Sequence, residues 1–319
     1  MAALTLLVVA NPAARHLKVL DRLPGSTRIV AGNQLEIFRH SAASADILLH
    51  ALGPKDVFQS VFAMSPNLRW IHSMSAGLDG TLFAELIDSP VPLTNGRGVF
   101  ARSLGEWTIA AVLFFAKDLR RLVRSQQAGL WEPFDVEWVH GKTLGIVGYG
   151  AIGEAIADRA RSFGLRIVAC RRRPELSGND AGVFPPGRLH EMLGLCDYVV
   201  VAAPLTPETR GLIGEDALRA MKPSAVLINI GRGPVVVEAA LERALREGWI
   251  RGAALDVFDQ EPLPEGHSFY KLENILLSPH SADHTPGWSE SAMEFFVQNF
   301  ERFAAGLPLL NVVDKKAGY

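Results

Sequence analysis

The stretch 142–153 reads KTLGIVGYGAIG. Its first half, Thr143 to Val147, is a short apolar run that is typical of a buried strand in a parallel sheet. Three glycines with GxGxxG spacing close the stretch. Small and apolar residues then recur at helical spacing as far as Gly164, which predicts a helix that ends there. The glycine motif therefore lies between a predicted strand and a predicted helix.

Each glycine of this motif has its own physical task. Gly148 allows a tight turn, Gly150 lets the backbone approach a pyrophosphate, and Gly153 lets the helix pack closely on the strand. The first N–H groups of the helix offer hydrogen bonds and a partial positive charge to the phosphates. A glycine-rich loop alone is weak support, but its position here favours dinucleotide binding. The predicted cofactor-binding residues of the loop are Gly148, Tyr149, Gly150, Ala151, Ile152 and Gly153.

Length and composition limit the class of protein. With 319 residues, 48% of them hydrophobic, the chain can fill more than one core, and we expect two domains. A formal net charge of -2 provides no general attraction to nucleic acid or to an anionic membrane. The expected partner is therefore a small molecule.

Cysteine usage and apolar runs indicate the compartment. Only Cys170 and Cys196 occur, without metal-ligand spacing, so neither a disulfide framework nor a metal site is predicted. The longest apolar runs are far too short to span a bilayer. The apolar run near the start has no preceding positive charge, so we interpret it as the first strand of a cytoplasmic protein.

Predicted strands alternate with helix-length segments along the chain. The strands outside the glycine motif are Leu4 to Val9, Ile47 to Leu49, Arg69 to Ile71, Val91 to Leu93, Arg166 to Ala169, Tyr198 to Ala202, Ala225 to Ile230, Ala253 to Val257 and Ile275 to Leu277. One long helix is expected to begin at Ser103, with Glu106 completing a capping box, and to run to Leu122. This alternation predicts an α/β fold with two Rossmann-like or flavodoxin-like domains, each with a doubly wound parallel sheet.

The segment after the strand that follows the glycine motif indicates which cofactor is bound, NAD(H) or NADP(H). A chain that prefers NAD places Asp or Glu about 20 residues beyond the motif, where it binds the ribose hydroxyls. Here the segment is Cys170-Arg171-Arg172-Arg173. Arginine binds a 2′-phosphate through charge-assisted hydrogen bonds, so NADP(H) is preferred, while NAD(H) remains possible. In the alternative, Arg172 and Arg173 only solvate a surface turn and Glu175 binds the ribose.

Three polar residues are candidates for catalysis. Arg232 lies in NIGRG, Glu261 follows DVFDQ, and His280 follows LSP, each beyond a predicted strand. Residues at the carboxyl ends of parallel strands face the ligand, although each of these residues alone has a structural explanation. Together they suit reduction of a 2-oxo acid. Histidine supplies a proton to the carbonyl oxygen, a carboxylate supports the imidazolium, and arginine binds the substrate carboxylate.

Two further turns are candidates for anion binding. The loop from Ser75 to Gly80 follows a predicted strand, and its backbone N–H groups could form a nest for a carboxylate. A simple glycine turn is the alternative. Arg97, in a second turn of this kind, is a candidate second cation.

These motifs resemble those of the D-isomer-specific 2-hydroxyacid dehydrogenases. The matching motifs are SAGLD, GYGAIG, Ala203-Pro204-Leu205-Thr206, NIGRG, Asp256-Val257-Phe258, Glu261-Pro262, Pro279-His280 and NVVD, in that order along nearly the whole chain. The resemblance implies that Arg232, Glu261 and His280 are the catalytic residues. It also implies a substrate (catalytic) domain made from residues 1–99 and 285–319, a dinucleotide-binding domain from 100–284, and a homodimer.

The resemblance further implies which residues contact the ligands. Asp256 is expected to hold the nicotinamide carboxamide. Ala76, Gly77 and Leu78 are expected to offer N–H groups to the substrate carboxylate. Arg97, proposed above from its own turn, is the other predicted substrate-binding residue. The remaining predicted cofactor-binding residues are Ala203, Pro204, Thr209 and Ile230.

Arginine at the position after the strand resembles the NADP-using glyoxylate and hydroxypyruvate reductases of the family. We therefore expect NADPH-dependent reduction of a small 2-oxo acid, such as glyoxylate or hydroxypyruvate, to the D-2-hydroxy acid. The alternative is a co-repressor-like or regulatory protein that binds a dinucleotide with little turnover. The presence of all three catalytic residues argues against that alternative.

Overall fold

The structure, a computed structural model, describes residues 4–173 and 182–319. The strands are β1 (Thr5–Val9), β2 (Arg28–Gly32), β3 (Ile47–His50), β4 (Trp70–Ser73), β5 (Leu93–Asn95), β6 (Thr143–Val147), β7 (Arg166–Cys170), β8 (Val183–Phe184), β9 (Tyr198–Val201), β10 (Val226–Asn229), β11 (Gly252–Leu255) and β12 (Ile275–Leu277). The α-helices are α1 (Lys55–Ala63), α2 (Ala84–Asp88), α3 (Ala101–Ala116), α4 (Leu119–Ala128), α5 (Ala151–Ser162), α6 (Leu189–Leu195), α7 (Glu215–Ala220), α8 (Glu238–Glu247) and α9 (Trp288–Ala304).

The chain forms two compact units. Unit 1 comprises Met1–Phe100 and Pro286–Tyr319, and unit 2 comprises Ala101–Thr285. Unit 1 has a five-stranded sheet in the order β2-β1-β3-β4-β5, and all of its strand pairs are parallel. Every residue of β1, β3 and β4 is buried, as expected for a sheet that is covered on both faces. Strand β2 was not predicted, because it lies at the sheet edge and exposes its first residues.

Unit 2 has a seven-stranded parallel sheet in the order β12-β11-β10-β9-β6-β7-β8. The chain runs outward from β6 to β8 on one side, and then returns to β9 and continues outward on the other. The strand order therefore reverses between β6 and β9, and the crevice at their carboxyl ends is where such sheets bind ligands. The predicted fold class, α/β with two parallel-sheet domains, is confirmed.

The prediction of one long helix that begins at Ser103 is wrong. Helix α3 begins at Ala101, and the Ser103 hydroxyl donates a hydrogen bond to the Ala282 carbonyl (2.7 Å) instead of forming a capping box. Asp118 interrupts the helix with a φ of 45° and accepts a hydrogen bond from Arg121 N as the N-cap of α4. Aspartate is a favourable N-cap residue. The contact of Ser103 and the cap at Asp118 therefore outweigh the apolar periodicity that predicted one continuous helix.

His72, in β4, is a fully buried titratable residue. Its Nδ1 lies 2.7 Å from Thr94 Oγ1, which also accepts a hydrogen bond from Trp70 Nε1. The described residues provide no hydrogen-bond partner for its Nε2. Burial lowers the pKa of His72 to about 3, because the imidazolium would lose its hydration.

The folded protein should therefore lose stability in acid. As the pH falls below the unfolded value of 6.5 toward 3, the unfolded chain binds a proton that folded His72 does not bind. His72→Gln removes this titration, so between pH 7 and pH 5 its free energy of unfolding should fall by about 2 kcal/mol less than that of the wild type. Urea denaturation at both pH values measures the difference. An unchanged pH dependence in His72→Gln would contradict the prediction.

Candidate active site

The glycine loop joins the end of β6 to the start of α5. Gly148 has a φ of 97°, and a Cβ at this position would lie 2.5 Å from the Ala203 nitrogen. A Cβ on Gly153 would lie 2.7 Å from the carbonyl oxygen of Gly148. Backbone thus approaches backbone at both positions, and any side chain there would force the loop apart.

Gly150 faces open space instead. A Cβ there would meet no atom within 4 Å, and Gly150 is the N-cap of α5. The first N–H groups of a helix have no acceptor within the helix, and they carry the positive end of its dipole. Ala151 and Ile152 supply the first of these groups, while the side chain of Tyr149 is buried. The loop therefore fits the pyrophosphate of a dinucleotide.

The segment after β9 packs against the glycine loop. Ala203 is buried, and its backbone forms the close approach to position 148. The Thr209 hydroxyl donates to the Pro204 carbonyl (2.6 Å) and accepts from Thr206 N (2.8 Å), which closes the segment on itself. Thr209 thus shapes this segment, and its direct contact with the cofactor stays a prediction. Ile230, beyond β10, is also buried.

The arginines after β7 are placed differently from one another. Arg171 is half-buried and its backbone N–H donates to the Phe184 carbonyl (3.2 Å), whereas Arg172 and Arg173 are exposed. The pKa of the Glu208 carboxyl is lowered, first by a hydrogen bond from the Thr206 hydroxyl and also by the charge of Arg172. Arg172 therefore lies near the segment after β9. The alternative ribose ligand, Glu175, lies outside the described residues.

Arg232 lies in a loop that buried Asn229 holds at the end of β10. The Asn229 Oδ1 accepts a hydrogen bond from Gly231 N, and its Nδ2 donates to the Arg232 carbonyl, both at 3.1 Å. The half-buried Arg232 side chain donates from Nη1 to the Gly231 carbonyl at 2.8 Å. Sequence reasoning included Asn229 in the NIGRG motif but missed its anchoring role, although an Asn side chain often bonds to the backbone two residues on.

The loop of Arg232 packs directly on the chain that leads to Glu261. A Cβ on Gly233 would lie 1.9 Å from the carbonyl carbon of Phe258 and 2.5 Å from Asp259 N. Only glycine permits this contact. The spacing between the arginine loop and the glutamate loop is therefore fixed by backbone contact, before either side chain contributes.

Glu261 and His280 are in direct contact. The distance between Glu261 Oε2 and His280 Nδ1 is 2.6 Å, and Glu261 Oε1 accepts a hydrogen bond from Phe258 N at 2.9 Å. The side chains are 35% and 42% exposed, so the pair is accessible to a ligand. Because an ionised carboxylate only accepts hydrogen bonds, Nδ1 carries the hydrogen, and Nε2 is the nitrogen left for proton transfer.

Buried Asp256 holds the loop that carries His280. Its Oδ1 accepts hydrogen bonds from Ser278 Oγ (2.6 Å), Ser281 N (2.9 Å) and Ala282 N (3.1 Å). Its carbonyl accepts from His280 N (2.9 Å), and His280 has a φ of 51°. The contact of Asp256 with a nicotinamide carboxamide stays a prediction. Its positioning role was missed, because no local pattern links residues so far apart in sequence.

The predicted substrate-binding residues lie on two joined loops of unit 1. Asn95 Nδ2 donates to the Ala76 carbonyl (2.7 Å), and Gly96 N donates to the Ser75 carbonyl (3.1 Å). Leu78 is buried and Gly77 is half-buried. The exposed Arg97 donates from Nη2 to the side chain of Asn311 (3.3 Å). The binding of substrate by Ala76, Gly77, Leu78 and Arg97 stays a prediction.

Within residues 4–173 and 182–319, no group of three or more His, Cys, Asp or Glu side chains is placed to hold a metal ion. Over the same ranges, no helix combines the length and the apolar character needed to cross a membrane.

The family model and the relatives that match this chain describe the same class of protein. Residues 109–282 match the family model described as D-isomer specific 2-hydroxyacid dehydrogenase, NAD binding domain. The chain is 36% identical over 282 residues to a glyoxylate reductase of Thermococcus onnurineus, a match that covers 85% of this chain and 83% of that protein. A glyoxylate reductase of Pyrococcus horikoshii matches with the same identity and coverage.

Solved structures give the same result. A D-isomer specific 2-hydroxyacid dehydrogenase from Xanthobacter autotrophicus Py2, in complex with NADPH and MES, has a TM-score of 0.86 at 30% identity, with 100% of both chains covered. An NADPH-dependent glyoxylate/hydroxypyruvate reductase from Sinorhizobium meliloti, in complex with NADP and malonate, has a TM-score of 0.79 at 27% identity, with 98% of both chains covered.

A glycine loop at the switch point of a parallel sheet is the arrangement in which such sheets bind dinucleotides, and polar side chains follow neighbouring strands at the same edge. The family model covers more than half of the chain, and relatives match over most of it. The chain belongs to the D-isomer-specific 2-hydroxyacid dehydrogenase family. The resemblance seen in the sequence is confirmed, and the protein is an oxidoreductase.

Gly233→Ala tests the backbone contact between the arginine loop and the glutamate loop. The added methyl group has no room against Phe258, so we expect a free energy of unfolding lower by about 1–3 kcal/mol, as in overpacked cores. Urea denaturation measures it. The matched control is Gly187→Ala, because a Cβ at Gly187 meets nothing within 4 Å. Equal stability of the two variants would show that the loops are not in the described contact.

Proposed function

We propose that the protein transfers hydride from NADPH to C2 of a small 2-oxo acid, such as glyoxylate or hydroxypyruvate, and so forms the D-2-hydroxy acid. The observation that supports this most directly is the 2.6 Å contact between His280 and Glu261. It provides a proton donor at the carboxyl edge of the same sheet that carries the glycine loop. The glyoxylate reductases among the relatives favour the same substrate class. Co-repressor-like binding without turnover is not favoured.

Three side chains of unit 2 carry the reaction in this proposal. The bound reduced nicotinamide supplies the hydride. His280 delivers the proton from Nε2 to the C2 oxygen, where negative charge develops, and Glu261 keeps the hydrogen on Nδ1. Arg232 binds the substrate carboxylate as a charged, two-pronged donor and helps to polarise the carbonyl. After the transfer, neutral His280 takes a proton from solvent.

The preferred cofactor in this proposal is NADP(H), and NAD(H) remains possible. Arg171, Arg172 and Arg173 provide positive charge at the end of β7, where a carboxylate would bind the ribose of NAD. The exposed guanidinium of Arg172 is the strongest candidate for a 2′-phosphate, because it lies near the segment of Ala203 to Thr209. The complexes of relatives with NADPH and NADP support this preference.

The two units take different roles in this proposal. Unit 2 binds the dinucleotide through the glycine loop, the segment after β9, Ile230 and Asp256. Unit 1 binds the substrate carboxylate through the N–H groups of Ala76, Gly77 and Leu78, together with Arg97. These assignments correspond to the predicted dinucleotide-binding and substrate domains. We also place the protein in the cytoplasm, consistent with its two buried, free cysteines.

A homodimer is the proposed assembly. Helix α4 and the segment after it expose seven large apolar side chains, most of all Trp131 (95%) and Trp138 (80%). The others are Leu119, Leu122, Val123, Leu130 and Val136. Each aromatic buries roughly 150–250 Å² at an interface, so the set approaches the ~800 Å² per partner of a stable interface. We propose that a second copy of the chain covers this apolar surface. Sedimentation velocity measures the oligomeric state and so tests the proposal.

Arg232→Ala should abolish most turnover. Loss of charged hydrogen bonds to the substrate carboxylate is expected to lower kcat/KM by about 10²- to 10⁴-fold. The measurement follows reduced-nicotinamide absorbance with a panel of 2-oxo acids, in which glyoxylate or hydroxypyruvate should be the best substrate of the wild type. The control is Arg246→Ala, which removes an exposed arginine paired with Glu242 on α8. The assignment would be refuted if Arg232→Ala kept near-normal turnover of every 2-oxo acid that the wild type accepts.

Arg172→Ala should change the cofactor preference. Losing the contact with the 2′-phosphate is expected to weaken NADPH binding by about tenfold or more, while NADH binding changes little. Fluorescence titration with each cofactor gives both dissociation constants. Glu208→Gln, which removes the neighbouring negative charge, should strengthen NADPH binding. A wild type that binds NADH more tightly than NADPH would contradict the proposed preference.

A further inference from the structure

A cluster of three buried polar side chains lies at the end of the loop from Ser75 to Gly80, the carboxylate loop. Thr81 follows this loop directly, and its Oγ1 lies 2.9 Å from His50 Nδ1 and 3.0 Å from Ser73 Oγ. Thr81 and Ser73 are 1% exposed, and His50 is 9% exposed. Buried polar groups are costly unless they are hydrogen-bonded, so these side chains must find their partners inside the protein.

The directions of these hydrogen bonds follow from His50. Its Nε2 lies 3.0 Å from the Gly53 carbonyl, which only accepts, so Nε2 carries the hydrogen. Burial lowers the pKa of His50, which favours the neutral imidazole, and Nδ1 of that form is an acceptor. The Thr81 hydroxyl therefore donates to His50 Nδ1, and the Ser73 hydroxyl donates to Thr81 Oγ1.

The partners of Thr81 are fixed by the sheet of unit 1. His50 and Ser73 are the last residues of β3 and β4, and they lie opposite each other in the pairing of these strands. A Cβ on Gly53 would lie 2.6 Å from the Val9 carbonyl oxygen, so the segment that holds His50 lies against the end of β1. The Thr81 hydroxyl is thus tied to the carboxyl edge of the sheet.

The main chain of Thr81 extends this anchor into the carboxylate loop. Thr81 N and Leu82 N both donate hydrogen bonds to the Leu78 carbonyl, at 2.9 and 2.7 Å. Leu78 is buried as well. The last part of the loop is therefore closed on Thr81, and a displacement of Thr81 would displace Leu78.

The first part of the carboxylate loop is held from the end of β5. Gly96 N donates to the Ser75 carbonyl (3.1 Å), and Asn95 Nδ2 donates to the Ala76 carbonyl (2.7 Å). Because a peptide group is planar and trans, its N–H points away from its C=O. The N–H groups of Ala76 and Gly77 therefore point away from the end of β5. Both ends of the loop are held, and successive N–H groups between them can converge on an anion.

We propose that Thr81 is a positioning residue that sets the affinity for the substrate carboxylate, because its hydroxyl fixes the end of the loop whose N–H groups bind that carboxylate. This inference rests on the proposed function. Thr81 contacts neither the substrate nor the cofactor, and it acts through the main chain of Leu78. The carboxylate is bound equally before and during hydride transfer, so loss of the anchor raises KM and leaves kcat nearly unchanged.

Thr81→Val tests the anchor by kinetics, because valine keeps the shape of threonine and removes the hydroxyl. For the 2-oxo acid that the wild type reduces best, its KM should rise roughly three- to tenfold, with kcat within about twofold of the wild type. Thr81→Ser keeps the hydroxyl and should keep a KM near that of the wild type. Fluorescence titration should give the same dissociation constant for NADPH in all three proteins. A wild-type KM in Thr81→Val, or an equal rise in Thr81→Ser, overturns the inference.

Hydrogen exchange, measured by mass spectrometry without substrate, tests the loop independently of turnover. In Thr81→Val, peptides that cover residues 76–83 should exchange about fivefold faster or more, because the hydrogen bond from Leu82 N to Leu78 opens more often. Unchanged exchange overturns the inference, whatever the protein reduces. Faster exchange in a protein that reduces no 2-oxo acid would refute the proposed function and leave the anchoring of the loop standing.

Two further variants make the test specific. Thr108→Val removes a fully buried hydroxyl in α3 that donates to the Leu104 carbonyl (2.8 Å), and it should leave KM and the exchange of residues 76–83 unchanged. Ser73→Ala removes the donor to Thr81 but leaves His50 bonded, so it is the milder variant should Thr81→Val not fold. Its KM should rise about two- to threefold. The inference is overturned if Ser73→Ala changes neither readout, or if Thr108→Val reproduces the effect of Thr81→Val.

Discussion

The hydrogen bond between His280 Nδ1 and Glu261 Oε2 is the interaction on which the proposed chemistry depends. It decides which imidazole nitrogen holds its hydrogen and which one exchanges a proton. Neither side chain is buried enough to be fixed by packing, since both are more than a third exposed. Their geometry therefore comes from the backbone beneath them, where Phe258 N holds the glutamate and Asp256 holds the histidine loop.

Asp256 shows why such an anchor is strong. A buried carboxylate is costly unless donors replace its lost hydration, and here three donors converge on one oxygen. All three come from the loop that carries His280, so folding of the loop and burial of the charge support each other. The left-handed conformation of His280 is held within this network. The fold thus uses a buried carboxylate to hold the loop of an exposed histidine.

Close backbone contacts place the remaining parts of the site. Gly148 approaches Ala203, and Gly233 approaches Phe258, at distances that no side chain would allow. The dinucleotide loop, the arginine loop and the glutamate loop are therefore spaced by main-chain atoms, which vary less than side-chain rotamers.

The sequence by itself determined the parallel α/β class, the glycine loop and the family, because strand and helix periods and GxGxxG spacing are local patterns. It also identified Glu261 and His280, although their contact could only be expected. The tertiary structure alone decided the break at Asp118, the edge strand β2 and the anchoring of the His280 loop by Asp256. Those features depend on which distant groups meet after folding, and on how far each group is removed from water. The spacing of neighbouring residues specifies neither these long-range contacts nor the burial of each group.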